Sequence, residues 1–159
     1  MRRGARSFAV LASILAIGSI AAFAASAGAT TKTKGKKDSG TAYVSIVHTV
    51  GNTEYAAGYT FDKLFGQTAT TYATSVRNGP ATGTVVVTVK RLTLYTSTGT
   101  LYGTGIATDN LVTGAITDGK IDVTHGTGAQ KGHTFVGTLT GSEDLKTGVY
   151  TFNYTGTYK

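Results

Sequence analysis

The chain has 159 residues, of which 22 are glycine and 31 are threonine, with one proline and neither cysteine nor tryptophan. This composition favours β-structure over helix, and a hydrophobic share of 40% predicts a packed domain rather than a low-complexity chain. The lack of cysteine excludes disulfides, thiol nucleophiles and thiolate metal sites. The formal net charge of +7 would by itself suggest an anionic partner such as nucleic acid.

Residues 1–29 have the three parts of a secretory signal peptide. Three arginines stand within the first six residues, residues 8–23 are almost entirely apolar, and Ala-Gly-Ala at 27–29 is a small-residue cleavage site. The apolar run is shorter than the roughly 20 residues of a membrane span, so we expect no span to remain after the signal is removed. The protein is therefore predicted to be secreted, either extracellular or periplasmic and envelope-associated. A cysteine-free exported chain is typical of a bacterial source.

Residues 30–40 predict a disordered basic arm, because they contain four lysines, one aspartate and no apolar anchor. Residues 41–159 keep eight basic and seven acidic side chains, so this part is nearly neutral. The net charge thus belongs mainly to the signal and the arm. We predict no nucleic-acid partner and assign residues 41–159 to a single domain.

Alternation of apolar and polar residues between glycine-containing turns predicts strands through this domain. The apolar positions change parity near Lys90 and Arg91, which predicts a β-bulge, and Asp118-Gly119 is predicted to form a hairpin turn. About eight antiparallel strands suit a barrel or a sandwich. We favour an all-β fold with a single closed antiparallel barrel, because closure removes exposed edges. The predicted strands cover residues 42–50, 54–65, 70–76, 82–96, 101–108, 120–125, 134–140 and 150–158.

The sequence has no convincing metal or phosphate motif. Gly114–Lys120 matches the start of a phosphate-binding loop, but Ile121 stands where Ser or Thr should hold magnesium and a strand follows instead of a helix. His48 shares its parity with apolar neighbours, so we interpret it as a core histidine. His125 and His133 flank a glycine loop, and no third ligand is expected to converge on them. We predict no metal site and no cofactor.

The last strand alternates four aromatic residues with polar ones, so one of its faces is aromatic. This face either fills the core or lines the pocket of a barrel that holds one small ligand. A lumen smaller than about 300 Å³, the lower end for ligand pockets, would remove the second interpretation. The candidate ligand-binding residues are Tyr150, Phe152, Tyr154, Phe135 and His125.

Residues 121–159 have a pattern of glycines and aromatic residues that resembles a known family. The pattern consists of Gly126-Thr127-Gly128, Gly132, Gly141 and the terminal Tyr154–Tyr158. The segment resembles bacterial members of the superfamily that joins plant dirigent proteins and allene oxide cyclases. That resemblance implies an eight-stranded barrel with a hydrophobic lumen. It carries no enzymatic activity across, because Gln130 replaces the usual aromatic and no plant catalytic carboxylate or arginine matches a position here.

Three functions are compatible with the sequence. The first is a dirigent-like barrel that binds a small hydrophobic or aromatic molecule without catalysis of its own. The second is a structural or cell-envelope protein with a filled core. The third is an isomerase-like or cyclase-like enzyme, which needs a charged residue inside the lumen; Arg91 and Glu54 are the candidates. The partners that these functions predict are a small hydrophobic ligand and, in a homo-oligomer, a second copy of the chain.

Overall fold

The structure is a computed structural model that describes residues 34–62 and 67–159. The predicted signal peptide, residues 1–29, and the first part of the predicted arm lie outside the described residues.

The described chain forms eight strands and one short 3-10 helix. Each strand pairs antiparallel with the next, and the first pairs with the last, so the sheet is a closed barrel. This confirms the all-β prediction and the closed eight-stranded barrel. The strands are β1 (Lys36–Val50), β2 (Thr53–Asp62), β3 (Gln67–Asn78), β4 (Thr84–Tyr95), β5 (Thr100–Asn110), β6 (Ala115–Gly126), β7 (Phe135–Asp144) and β8 (Val149–Tyr158), with the 3-10 helix at Gly128–Gln130 between β6 and β7.

Strand β1 begins inside the segment predicted to be a disordered arm. It pairs with β8 from Lys36 opposite Tyr158 to Ser45 opposite Val149, so the prediction of disorder was wrong for residues 36–40. These residues lack apolar anchors. They are ordered because the backbone N–H and C=O groups of β8 pair with theirs. The pairing also buries Asp38.

The interior is packed by alternate residues of all eight strands. The predicted aromatic face of β8 is inside the barrel, where Tyr150 and Tyr154 are buried. The Phe135 ring lies across Gly137 and Gly156, and a Cβ at either glycine would come 2.6 Å from its Cζ atom. These two glycines leave the space that the ring occupies. The buried hydrophobic residues are Ala42, Val44, Ala56, Ala69, Val85, Leu94, Leu101, Ile116, Val123, Phe135, Tyr150 and Tyr154.

Aromatic residues also cover part of the outer surface. Tyr55, Tyr59 and Phe61 on β2 are between 40% and 49% exposed, and the Tyr43 ring on β1 lies 5.3 Å from that of Tyr59. Aromatic side chains therefore face the interior on β8 and the outer surface on β2. Alternation alone defines two faces of a strand and does not say which one is inside.

Two local predictions, the bulge in β4 and the hairpin turn at Asp118-Gly119, had different outcomes. The β4 bulge is confirmed, since the β4–β5 pairing shifts between Val89 and Leu92. The Asp118-Gly119 hairpin was wrong, because this dipeptide lies within β6 at a register shift and Asp118 has a φ of 52°. A left-handed residue suits a bulge as well as a tight turn. The β5–β6 turn instead ends at Gly114, whose φ is 69°.

A matched pair of leucine substitutions tests this packing. Leu101 is 1% exposed and Leu145 is 52% exposed. We expect Leu101→Ala to lower the free energy of unfolding by about 2–5 kcal/mol because it leaves a cavity in the core. Leu145→Ala should change it by less than about 0.5 kcal/mol. Urea unfolding of both variants measures the difference, and equal effects would contradict the assigned interior.

Candidate functional site in the barrel interior

The barrel interior contains a cavity of about 140 Å³. Its wall is mostly aliphatic and aromatic, and polar residues stand at its two ends. Tyr150 and Tyr154, which mark these ends on β8, are four residues apart, or roughly 13 Å along a strand. The apolar wall includes Val44, Ala56, Ala73, Val89, Leu92, Ala107, Ile116, Ile121, Leu139 and Phe152.

One end holds the Arg77 cluster, which consists of Arg77, Glu54, Asp109 and Tyr150. The Arg77 guanidinium donates from Nε to Glu54 Oε1 at 2.9 Å and from Nη1 to Asp109 Oδ2 at 3.3 Å. Its Nη2 donates to the Tyr150 hydroxyl oxygen at 3.1 Å. Four strands, β2, β3, β5 and β8, thus supply one network.

The charges of the Arg77 cluster are tied to one another. Burial disfavours the Arg77 cation, but the hydrogen bond and the negative charge of Glu54 raise its pKa above the usual value. Burial raises the pKa of Asp109, and the charge of Arg77 opposes that change. Burial also raises the pKa of the Tyr150 hydroxyl. The Arg77 guanidinium is therefore the ion-pair partner of two carboxylates in the barrel interior, where a charge is costly to bury.

Asp109 is incompletely paired. Its side chain is 2% exposed, and Oδ2 accepts from Arg77. The other oxygen, Oδ1, has no hydrogen-bond donor. A buried carboxylate oxygen without a donor is costly, and in a native structure it is a feature that needs a reason.

The other end holds the Asp38 cluster, which consists of Asp38, Asp62 and Tyr154. The Tyr154 hydroxyl donates to Asp62 Oδ2 at 2.5 Å, and the Ser39 N–H donates to Asp38 Oδ1 at 2.8 Å. Burial, a hydrogen bond to Asp62 and the Asp62 charge raise the pKa of Asp38 to about 7. Two carboxyl groups that share a hydrogen bond must share a proton between them. Asp38 is the member whose pKa is raised, so it binds a proton at a higher pH than a free aspartate does.

Gly40 makes room for the Asp38 cluster. A Cβ at this position would overlap the hydroxyl oxygen and ring of Tyr154 and would also meet the backbone oxygen of Phe61. Because glycine has no Cβ, the Tyr154 phenol lies against β1 and reaches Asp62. The burial of this phenol and its bond to Asp62 raise the pKa of Tyr154.

Four of the five predicted ligand-binding residues line the cavity: Tyr150, Phe152, Tyr154 and Phe135. The fifth, His125, does not. It is exposed and stacks on Tyr102 on the outer surface, with ring centroids 4.9 Å apart. A register shift between Tyr102 and Gly103 places a bulge before His125, which moves its side chain out of the row formed by Ile121 and Val123.

The other singled-out histidines also lie away from the cavity wall. His48 was predicted to be a core residue, but a shift in the β1–β2 pairing after Ile46 turns it outward, where it packs 5.7 Å from the Tyr55 ring. His133 stacks on Tyr158 at 4.9 Å. A bulge reverses the side to which the following residues of a strand point. The local sequence pattern did not reveal the bulges before His48 and His125.

Of the two charged candidates, Glu54 lines the cavity and Arg91 is exposed. Asp38, Arg77 and Asp109 were not predicted as site residues, because each lies where a strand continues beyond its predicted end. Asp62 was given no site role either, although it lies inside the predicted strand 54–65. One feature of the sequence could have placed Arg77 on the inner face of β3. Residues 69, 71, 73 and 75 are small and lie on the same side of the strand as Arg77.

Within residues 34–62 and 67–159, no group of three or more His, Cys, Asp or Glu is arranged to hold a metal ion. No helix of the described residues is long and apolar enough to cross a membrane.

Comparisons with protein-family models, curated proteins and solved structures find no match to this chain. The resemblance to dirigent proteins and allene oxide cyclases therefore stays a prediction.

The shared proton of the Asp38 cluster gives a pH dependence of stability. The pKa of Asp38 is raised to about 7 in the folded state, against about 3.9 when unfolded. The folded state thus binds the extra proton, and its stabilisation is complete below pH 4 and lost as the pH rises towards 7. Asp38→Asn, which still donates to Asp62, should remove this loss.

Urea unfolding from pH 4 to pH 8 measures the difference between the wild type and Asp38→Asn. That difference should grow with pH, with a slope of at most about 1.4 kcal/mol per pH unit for one proton. Asp122→Asn, an exposed change on β6, is the control and should run parallel to the wild type. A parallel curve for Asp38→Asn would contradict the shared proton.

Proposed function

We propose that this protein is a secreted barrel that binds one small apolar molecule, of about the size of a single aromatic ring, in its interior. The observation that carries the proposal is the apolar cavity of about 140 Å³ between two polar clusters. An apolar cavity of about 150 Å³ stays dry and binds benzene. The volume is below the limit of about 300 Å³ given above for a ligand pocket, so the pocket predicted for a drug-sized hydrophobic ligand is removed, and the proposal is confined to a guest as small as one aromatic ring.

The distribution of polarity supports an apolar guest in the middle of the barrel. The side chains with charge are gathered at the ends, where Arg77 and Tyr154 bond to carboxylates. Between them the wall offers dispersion contacts, and burial stabilises an apolar guest by about 0.8 kcal/mol per methylene. The alternative of a filled structural barrel has no room for this guest.

Benzene is the direct probe of the proposal. We expect it to bind with a dissociation constant near or below about 1 mM, which corresponds to about −4 kcal/mol, and to raise the melting temperature with the logarithm of 1 + [benzene]/Kd. Ala56→Val adds two carbons to the cavity wall and should weaken binding at least tenfold. Calorimetric titration and thermal unfolding measure both effects.

The matched control is Ala57→Val, the same change on the opposite face of β2. It should leave benzene affinity within twofold of the wild type. Ala73→Val, which lines the same cavity from β3, serves as a second filling variant if Ala56→Val folds poorly. Absence of benzene binding by the folded wild type would contradict the proposal and favour the filled structural barrel.

A second candidate, an isomerase-like enzyme, is favoured by one observation. Asp62 lines the cavity beside Asp38, whose pKa is raised to about 7 by burial and by its bond to Asp62. A carboxylate and a carboxyl group of this kind can act as base and acid near neutral pH. Asp62 would take a proton from a carbon next to a carbonyl to give an enolate, and return of a proton to the same carbon would regenerate the ketone and the Asp62 carboxylate.

Cyclopentanone, which has six non-hydrogen atoms like benzene, tests this second candidate. In D₂O near pH 7 the protein should accelerate exchange of the hydrogens next to the carbonyl at least tenfold over buffer, measured by NMR. Asp62→Asn should lose the acceleration, and the exposed Asp122→Asn should keep it. Exchange at the buffer rate despite bound cyclopentanone would rule out the enzyme and leave the binding function intact.

A further inference from the structure

We infer that the end of the barrel at which β1 begins is a surface that binds an anionic phospholipid membrane from outside, without crossing it. This goes beyond the proposed function and does not depend on the cavity. The surface, called the lysine rim below, consists of five exposed lysines: Lys34, Lys36, Lys37, Lys131 and Lys159.

The antiparallel closure of the barrel brings the lysine rim together. β1 begins at Lys36 and β8 ends at Tyr158, and these two residues pair with each other. Lys131 lies in the connection from β6 to β7, at the same end of the barrel. Because β7, β8 and β1 are neighbours, their ends span roughly 10 Å.

Backbone pairing fixes Lys159 within the rim. Its N–H donates to the Thr134 carbonyl oxygen, and its own carbonyl oxygen accepts from the Thr134 N–H, both at 2.9 Å. Its side chain runs beside the start of β1, since a Cβ at Gly35 would come 3.0 Å from Lys159 Cγ. The lysine at the end of the chain is therefore held next to those at the start of β1.

The lysine rim lacks compensating negative charge among the described residues. Both of their ion pairs involve Arg77, at the opposite end. In the last two residues of each strand and the described connections at the rim, the one acidic residue is Asp62, which is buried. Asp38 lies one residue deeper and is buried as well.

Asp122 is an exposed carboxylate on the wall beside this end. It lies opposite Val136 of β7. Val136 lies opposite Thr157 of β8, and Thr157 lies opposite Lys37. Three strand spacings are roughly 14 Å, which exceeds the Debye length of about 8 Å at physiological ionic strength. Asp122 is therefore too far away to neutralise Lys37.

The opposite end of the barrel has the other sign of charge. Counted in the same way, its acidic residues outnumber its basic ones. They are Glu54, Asp109, Glu143 and Asp144, against Arg77 and Lys146. The charge of the barrel is thus asymmetric along its axis, and such a field turns the lysine rim towards a negatively charged surface.

The positions of the lysines favour a flat partner over a polymer strand. Proteins that bind a single-stranded polyanion track it with a basic groove. The rim lysines lie on strand ends and a connection, and none of the five lines the described cavity. A bilayer presents its lipid phosphates over a whole plane, so it meets all the charges of a rim at once.

Flotation with lipid vesicles tests the lysine rim. The full mature chain is mixed with vesicles of phosphatidylcholine alone or with about 30% phosphatidylglycerol, which gives the surface a negative potential. We expect binding to the anionic vesicles only. Raising the salt from about 50 to about 300 mM should weaken that binding at least about tenfold, because salt screens exposed charges.

Two double variants with the same change in net charge locate the surface. Lys37→Gln with Lys131→Gln removes two rim charges and should weaken binding about 25-fold, since each lysine near an anionic surface contributes about fivefold. Lys90→Gln with Lys146→Gln removes two exposed lysines from the wall and the opposite end. This control should stay within about twofold of the wild type, since its charges lie more than a Debye length from the membrane. Circular dichroism checks that both variants are folded.

Three results would overturn the inference. Equal weakening by the two double variants would show that net charge alone attracts the vesicles. Absence of binding to the anionic vesicles by the folded wild type would remove the membrane partner. Release of the protein from the vesicles by an equal charge of single-stranded DNA would favour a polymer instead. Benzene binding is measured separately, so each of these results leaves the proposed cavity function standing.

Discussion

The antiparallel pairing of β1 with β8 is the constraint on which the interior depends. It runs from Lys36 and Tyr158 to Ser45 and Val149 and turns a curved sheet into a closed barrel. Closure leaves no unpaired edge and gives an otherwise unanchored polar segment its backbone partners. This register places the Tyr154 ring against Gly40. The register of β1 with β2, which sets Gly40 opposite Asp62, brings Asp38 next to Asp62.

Closure also explains why the interior can hold polar groups at its ends and an apolar cavity between them. At one end four strands supply the Arg77 cluster, and at the other three strands supply the Asp38 cluster. Each carboxylate contacts a group from a different strand, such as Arg77 for Asp109 or Tyr154 for Asp62. The apolar side chains therefore meet in the middle, where they leave about 140 Å³ of free volume.

The sequence predicted much of the fold and about half of the candidate site. The aromatic face of β8 was visible from alternation alone, and Tyr150 and Tyr154 lie on the cavity wall. Arg77 and Asp109 were missed because polar residues at the end of a predicted strand look like turn residues. His125 was misplaced because a bulge changes parity at a single position, a change that local alternation does not reveal.

The sequence by itself determined the all-β class, the approximate number of strands, the bulge of β4 and the aromatic face of the last strand. These follow from local patterns of polarity, which depend on neighbours along the chain. Only the tertiary structure decided which faces point inward, that β1 begins at Lys36, and that Glu54, Arg77 and Asp109 meet. Such contacts join residues far apart in sequence, and they arise from the register of strand pairing and the closure of the barrel.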